Sequence, residues 1–394
     1  MTSWKAIAKA KANTRPIVKT PTVSKEQFHA ITSGEYIPIS MAGQGKDGEV
    51  WYAIPASSDV SIDLSPPKHG IGNSQYDSGL YTDVTHFDST VKHFLREKLC
   101  AVKIPAQSRY RECVHEIAVL NSLQEAPENI RSNFPQILNA KTLEQLPYIT
   151  SIPGDVPSPK PLYFVMSAVH PGITLLGLSK STLLLEVPVP DSLIAHITLQ
   201  LSDTISWMHE DLVPPLAHLD LQSSNVMLDM AHLEENGLPH VVLIDFATAM
   251  QSNENCFNFD RTCLYSMIYN LAILNQPYSS PNRSENVIGN YTHRKDWKRF
   301  IGTLACPESS SNPGHMISND EFSGKFRDML IMKRTNICEE DMQTIEMLLQ
   351  KGVEMASGLG KEEIRAVISE LVSRLRAVKP TVPKTIITST AKLV

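Results

Sequence analysis

Much that would tie this chain to a metal, a disulfide scaffold, a membrane or a polyanion is missing. Its six cysteines (Cys100, Cys113, Cys256, Cys263, Cys306, Cys338) include no Cys-x-x-Cys pair and no paired Cys/His spacing. That speaks against a zinc knuckle or a disulfide framework and for a reducing compartment, so a cytoplasmic or nuclear setting is expected. No uninterrupted apolar run is long enough to cross a bilayer, and the most apolar stretch, Ile173 to Val189, is broken by Lys180, Glu186 and Pro188. A formal net charge of -6 and a pI near 6.1 supply no global attraction for nucleic acid or an anionic membrane as partner. No internal repeat is found. Acidic residues are absent from positions 1 to 25, where Lys5, Lys9, Lys11, Arg15, Lys19 and Lys25 stand. This segment also lacks the central apolar block of a secretory signal; a transit peptide would share its acid-poor composition but would usually hold more arginine. A flexible basic arm over 1–35 is the expectation.

What is present is core-forming material: 42% of 394 residues are hydrophobic, enough for one large core or two lobes, and 26 prolines imply many loops. The most informative stretch is His218-Leu-Asp-Leu-Gln-Ser-Ser-Asn-Val-Met-Leu228, followed by Val241-Val-Leu-Ile-Asp-Phe246. It sets Asp220, Asn225 and Asp245 at the ends of two hydrophobic runs, where a strand pair would deliver polar groups into a cleft. Phosphoryl transfer needs such a set: one carboxylate to orient or accept the proton of an attacking hydroxyl, and an amide oxygen plus a second carboxylate to hold magnesium. Taken singly, each acid would be read as turn punctuation.

Upstream, Gly43-Gln-Gly-Lys-Asp-Gly-Glu-Val50 follows the strand-like Tyr36-Ile-Pro-Ile-Ser-Met41. Glycines let backbone amides lie close over phosphates, although a hairpin can use them for conformation alone. Residues 55 to 95, rich in Ser, Pro, Gly, Asp and His, read as an inserted loop. Leu99-Cys-Ala-Val-Lys-Ile104 then carries one lysine inside an apolar run. Lys103 either points to solvent from an edge strand or meets an anionic partner, because an unpaired buried ammonium is costly. A helix over about 109–123 offers that partner as Glu116, with Glu112 one turn earlier as the competitor. Leu162 to Val169 reads as a buried strand. Helices are further expected over 193–209, 340–354 and 361–378, and a frayed tail over 379–394.

In this order the features resemble the eukaryotic-type protein kinase family from about Tyr36 to Val378: glycine loop, Ala-Val-Lys, a Glu-Ile-x-x-Leu helix, a hinge strand, His-x-Asp-x-x-x-x-Asn, then Asp-Phe. The resemblance implies an α+β, two-lobed fold. A small β-rich lobe with one main helix, 36–170, would sit over a larger, mostly helical lobe, 171–378, with ATP between them. By the same resemblance Gly43, Gly45, Gly48, Val50, Ala101, Met166 and Ala168 would surround the nucleotide, and Ser167 to Val169 would form the hinge. Lys103 would meet the α- and β-phosphates, Glu116 would pair with Lys103, Asp220 would act as catalytic base, and Asn225 and Asp245 would bind Mg2+. The implied activity is transfer of the γ-phosphoryl of ATP to a protein Ser or Thr hydroxyl, the protein substrate being the expected partner.

The chain departs from the family pattern at four places. Leu219 stands where arginine usually lies between His and Asp, Gln222 replaces the lysine two residues after the catalytic Asp, and Ala247 follows Asp-Phe in place of glycine. The fourth is the short interval before the next apolar helix, which is expected to be headed by Asp260. The competing boundary is Gly302-Thr-Leu-Ala-Cys-Pro-Glu308, a compressed form of the usual ending much later in the chain. These departures keep two alternatives open: a pseudokinase acting as a binding or allosteric module, and a small-molecule phosphotransferase of the aminoglycoside or choline kinase type.

Overall fold

The computed structural model describes residues 22–56, 98–140, 163–251, 253–274, 294–304 and 326–356. The expected insertion over 55–95, the helix over 361–378 and the tail over 379–394 therefore lie almost wholly outside the described residues. Residues 22 to 35 differ from the flexible arm expected of them. Helix α1, Lys25–Ile31, is closed by a reciprocal cap in which Ser24 Oγ accepts from Gln27 N–H and the Gln27 amide oxygen accepts from Ser24 N–H. Its apolar anchor Phe28 is fully buried against Trp51, with ring centroids 5.6 Å apart. One aromatic at the right helical position thus overrides the basic composition around it.

Five strands form the first sheet: β1 Tyr36–Gly45, β2 Gly48–Pro55, β3 Cys100–Pro105, β4 Ile137–Ala140 and β5 Phe164–Ser167. Their order is β1-β2-β3-β5-β4, and every pairing is antiparallel. Because side chains alternate, one face collects Trp51, Ala53, Cys100, Val102, Ile104 and Val165, which build a small core with Phe28 and Tyr163. The opposite face carries Val50, Ala101, Lys103 and Met166, which the register sets side by side. Between β1 and β2 the chain turns through Lys46-Asp47. Gly48 sits at φ 141°, and a Cβ there would fall 2.2 Å from the carbonyl oxygen of Ile104. Glycine is required at that position by backbone approach, whatever else the loop does.

Helix α2, Tyr110–Leu123, crosses beside this sheet and is followed by the single turn α3, Glu128–Arg131. The second part of the chain is mostly helical: α4 Leu175–Leu185, α5 Asp191–Ser206, α6 Glu254–Ile273, α7 Arg294–Leu304, α8 Arg327–Thr335 and α9 Glu339–Ala356. Helix α5 is buried on nearly every side and lies at the centre of the larger core, with α8 and the strand Pro239–Leu243 packed on it. Small strands complete the layer facing the first sheet. β6 Gly172–Thr174, β8 Val226–Leu233 and β9 Pro239–Leu243 make one sheet, and β7 Leu216–Ala217 pairs with β10 Met250–Gln251. The helix expected to begin at Asp260 begins at Glu254, capped by the Asn253 side chain, so Asp260 lies inside it. Among the described residues no helix is long and apolar enough to cross a membrane.

His196, fully buried in α5, bonds through Nε2 to the Pro239 carbonyl oxygen of β9. Burial pushes its pKa down to about 4, so the native state resists a proton that the unfolded chain accepts near 6.5. The unfolded state therefore binds more protons between those values, and stability is full above pH 6.5 and falls as the pH drops towards 4. Urea titrations from pH 7 to pH 4 should show this loss, on the order of 3 kcal/mol for this group. In His196→Gln, which keeps a donor, the pH dependence should be shallower.

Candidate active site

Three charged side chains from three parts of the chain converge beneath the first sheet. Lys103, on β3, is buried. Its Nζ lies 2.6 Å and 2.9 Å from Glu116 Oε2 and Oε1 and 3.1 Å from Asp245 Oδ1. Burial works against the ammonium, but the carboxylates of Glu116 and Asp245 outweigh it and hold the Lys103 pKa above the ordinary lysine value. This settles the choice left by the sequence. Glu116 is the partner, whereas Glu112 is taken up by Arg109 at 2.8 Å on the outer side of the helix. Through the Lys103 ammonium, α2, β3 and the segment after β9 are tied at one point.

The second cluster is the loop between β7 and β8. Asn225 Nδ2 donates to the Asp220 carbonyl oxygen at 2.8 Å and to Asp220 Oδ2 at 3.0 Å, while Gln222 Nε2 donates to Asp220 Oδ1 at 3.0 Å. Where the resemblance would have a lysine, this chain sets a neutral amide on the carboxylate. The two clusters are joined by main chain: Ile244 N–H donates to Asn225 O at 2.9 Å, and the His218 ring nitrogen Nε2 meets Ile244 O at 3.2 Å. Phe246 is fully buried between the rings of Phe134 and His218. Leu219 and Asp245 both have positive φ, 61° and 66°, a backbone state that branched or bulky residues adopt only when the surroundings enforce it.

For Leu219 the enforcing group is Asp260. Fully buried in α6, it accepts the main-chain N–H of His218 at 2.7 Å and of Leu219 at 2.9 Å, and its Oδ2 lies 3.1 Å from His209 Nε2. Sequence reasoning treated Asp260 as a helix start and missed this role. The local sequence offers no signal for it, because Asn258, Arg261 and Thr262 stand around Asp260 between Phe257 and Leu264.

The glycine hairpin stands over the same face of the sheet: Val50 pairs in register with Lys103, and Ala101 with both Tyr52 and Met166. Gly43 and Gly45 have open space where a Cβ would lie, unlike Gly48. Ala168 follows directly on β5. Sequence reasoning also missed Tyr52, whose hydroxyl donates to the Val169 carbonyl oxygen at 3.3 Å across the connection between the two lobes. The oxygen donors Asn225 and Asp245 are of the hard type that suits Mg2+. No cluster of three or more metal-ligating His, Cys, Asp or Glu side chains occurs among the described residues. A two-residue set of this kind fits a magnesium ion that keeps waters and borrows phosphate oxygens from its nucleotide.

A five-stranded antiparallel sheet with one long helix, set over a helical lobe, with this lysine, glutamate and aspartate between them, is a protein-kinase-like fold. Parts of the chain resemble known proteins. Two leucine-rich-repeat receptor-like serine/threonine-protein kinases of Arabidopsis thaliana, GSO2 and GSO1, are each 40% identical to it, over 60 and 61 residues. These matches cover 14% and 15% of this chain and only 5% of each relative's length. Among solved structures, the PknI kinase domain of Mycobacterium tuberculosis superposes with a TM-score of 0.41 at 13% identity, covering 76% of this chain and 96% of that one. No protein-family model matches the sequence.

Removing the Asp260 carboxylate strands two buried N–H groups, a loss of about 2–4 kcal/mol. Asp260→Ala should therefore shift the urea midpoint strongly downward at unchanged m, and Asp260→Asn, which keeps one acceptor, should shift it less.

Proposed function

We propose that this chain is a divergent protein kinase, transferring the γ-phosphoryl of Mg-ATP to a Ser or Thr hydroxyl. The observation that carries the reading is the buried contact of Lys103 with both Glu116 and Asp245, joined through Ile244 and Asn225 to Asp220. A purely structural ion pair would not need the second carboxylate beside the ammonium, and that crowding suits a site built to gather a metal ion and phosphate charge. In this reading Lys103 holds the α- and β-phosphates, and Glu116 keeps its ammonium in place. Val50, Ala101, Met166 and Ala168 enclose the adenine, and Gly43, Gly45 and Gly48 cover the phosphates with main-chain N–H groups. Asn225 and Asp245 hold the magnesium, which when bound neutralises the developing charge on the transferred group. Asp220 accepts the proton of the attacking hydroxyl, its carboxylate oriented by the amides of Asn225 and Gln222. Gln222 adds no positive charge near the transferred group, so turnover is slow. The names of the two Arabidopsis relatives favour Ser/Thr acceptors.

A second reading has its own support. Helix α6 begins at Glu254, leaving only Phe246 to Asn253 after Asp245, too little chain for an extended peptide-docking platform. The acceptor is then either a hydroxyl on a protruding protein loop or a small alcohol, as in the choline-kinase type of phosphotransferase.

Purified protein with Mg-ATP, assayed for transfer to itself, to generic protein substrates and to small alcohols, separates these readings. Asp220→Ala should lower the rate by a factor of about 10^2–10^4, the usual worth of a general base. Lys103→Met should weaken nucleotide binding as well. Nucleotide binding with no transfer to any acceptor, unaltered by Asp220→Ala, would establish the pseudokinase instead, and absence of nucleotide binding would exclude both kinase readings.

A further inference from the structure

The short segment after Asp245 is fixed from three sides by groups that carry no phosphate. Towards α2, the His115 ring nitrogen Nε2 bonds to the carbonyl oxygen of Ala249, and Glu116 shares the Lys103 ammonium with Asp245. Towards the catalytic loop, Thr248 Oγ1 donates to His218 O at 3.1 Å. Towards β7, Met250 and Gln251 form the β10 ladder with Ala217 and Leu216. The anchoring residues Phe246 and Ala249 are fully buried, although the segment as a whole is at the surface. A loop ordered by phosphorylation would need a cation to receive the phosphate. Here the position next to Asp220 is Leu219, and Arg261 of α6 is already engaged by Glu210 and Glu254.

We propose that His115 is a positioning residue: by donating from Nε2 to the Ala249 carbonyl it holds α2 against the short segment, so that Glu116 meets Lys103 without any phosphorylation of this chain. The inference rests on the kinase reading above for its consequence in rate, but not for its structural part. His115 and Glu116 are adjacent, so one turn of α2 meets the stretch Asp245 to Ala249 at both ends, directly at Ala249 and through Lys103 at Asp245. Rotation of α2 that broke one would break the other. The neutral hydrogen bonds of Ala249, Thr248 and β10 thus take the part that a phosphate and its arginine would play in a switchable loop. The assembled arrangement is the ground state of the fold.

The test compares wild type, His115→Ala and His115→Gln, the last restoring an N–H donor at similar reach. Amide hydrogen exchange of Tyr110–Leu123 should rise in His115→Ala and return to the wild-type level in His115→Gln. The rate of phosphoryl transfer should fall about five- to tenfold in His115→Ala, as expected for one hydrogen bond, and recover in His115→Gln. Phosphatase-treated wild type should keep its full rate. Wild-type exchange and rate in His115→Ala, or loss of activity on phosphatase treatment, would overturn the inference. If wild type transfers no phosphoryl group at all, the kinase reading fails separately, and the exchange comparison, which needs no nucleotide, still decides the role of His115.

Discussion

An ammonium group taken out of water must be matched by anions close at hand, and the Lys103 ammonium is matched by two from distant parts of the chain. Glu116 comes from α2 and Asp245 from the turn after β9. Breaking such a buried pair by removing one partner costs about 3–5 kcal/mol, so the strand, the helix and the turn are held in one relative arrangement. That arrangement defines the cleft. The sheet face carrying Val50, Ala101 and Met166 is then opposed to the loop carrying Asp220 and Asn225.

Asp260 does for the lower side of the cleft what Glu116 does for the upper. A carboxylate accepting several hydrogen bonds in a dry interior acts as a strong local organiser, because the N–H groups it serves have no other partner. Its hold on His218 and Leu219 sustains the positive φ of Leu219, and that bend aims Asp220 into the cleft. The two hubs are linked through Phe246, buried between Phe134 and His218. Packing and polar contacts at this point are one structure: the aromatic stack sets the position of the main chain whose Ile244 N–H bonds Asn225 and whose Asp245 carboxylate meets Lys103.

Several parts of this were legible in the sequence because they are local. The apolar run at Cys100–Pro105 and the single lysine within it announced a buried strand with a charge to be matched. The interval from His218 to Asn225 and the acid at Asp245 fixed which polar groups could meet, since both stand at the ends of apolar runs. Other parts were not legible because they depend on partners far away in the chain. Nothing near Phe28 says that it will pack on Trp51, and nothing near Asp260 distinguishes a helix start from a buried acceptor. His115 looks like any exposed histidine on an amphipathic helix until Ala249 is set beside it.

The sequence by itself determined the type of the main elements around the site and the inventory of chemistry: a glycine hairpin, one lysine, two candidate glutamates, and the polar set Asp220, Asn225 and Asp245. Those follow from hydrophobic period and residue type, which act over a few positions. Only the tertiary structure decided that Glu116 and not Glu112 meets Lys103, that Asp260 serves two main-chain N–H groups from inside α6, and that the segment after Asp245 is closed on three sides. Each of these is a choice among partners of the same chemical type, and the choice is made by which surfaces the two cores bring within hydrogen-bond reach.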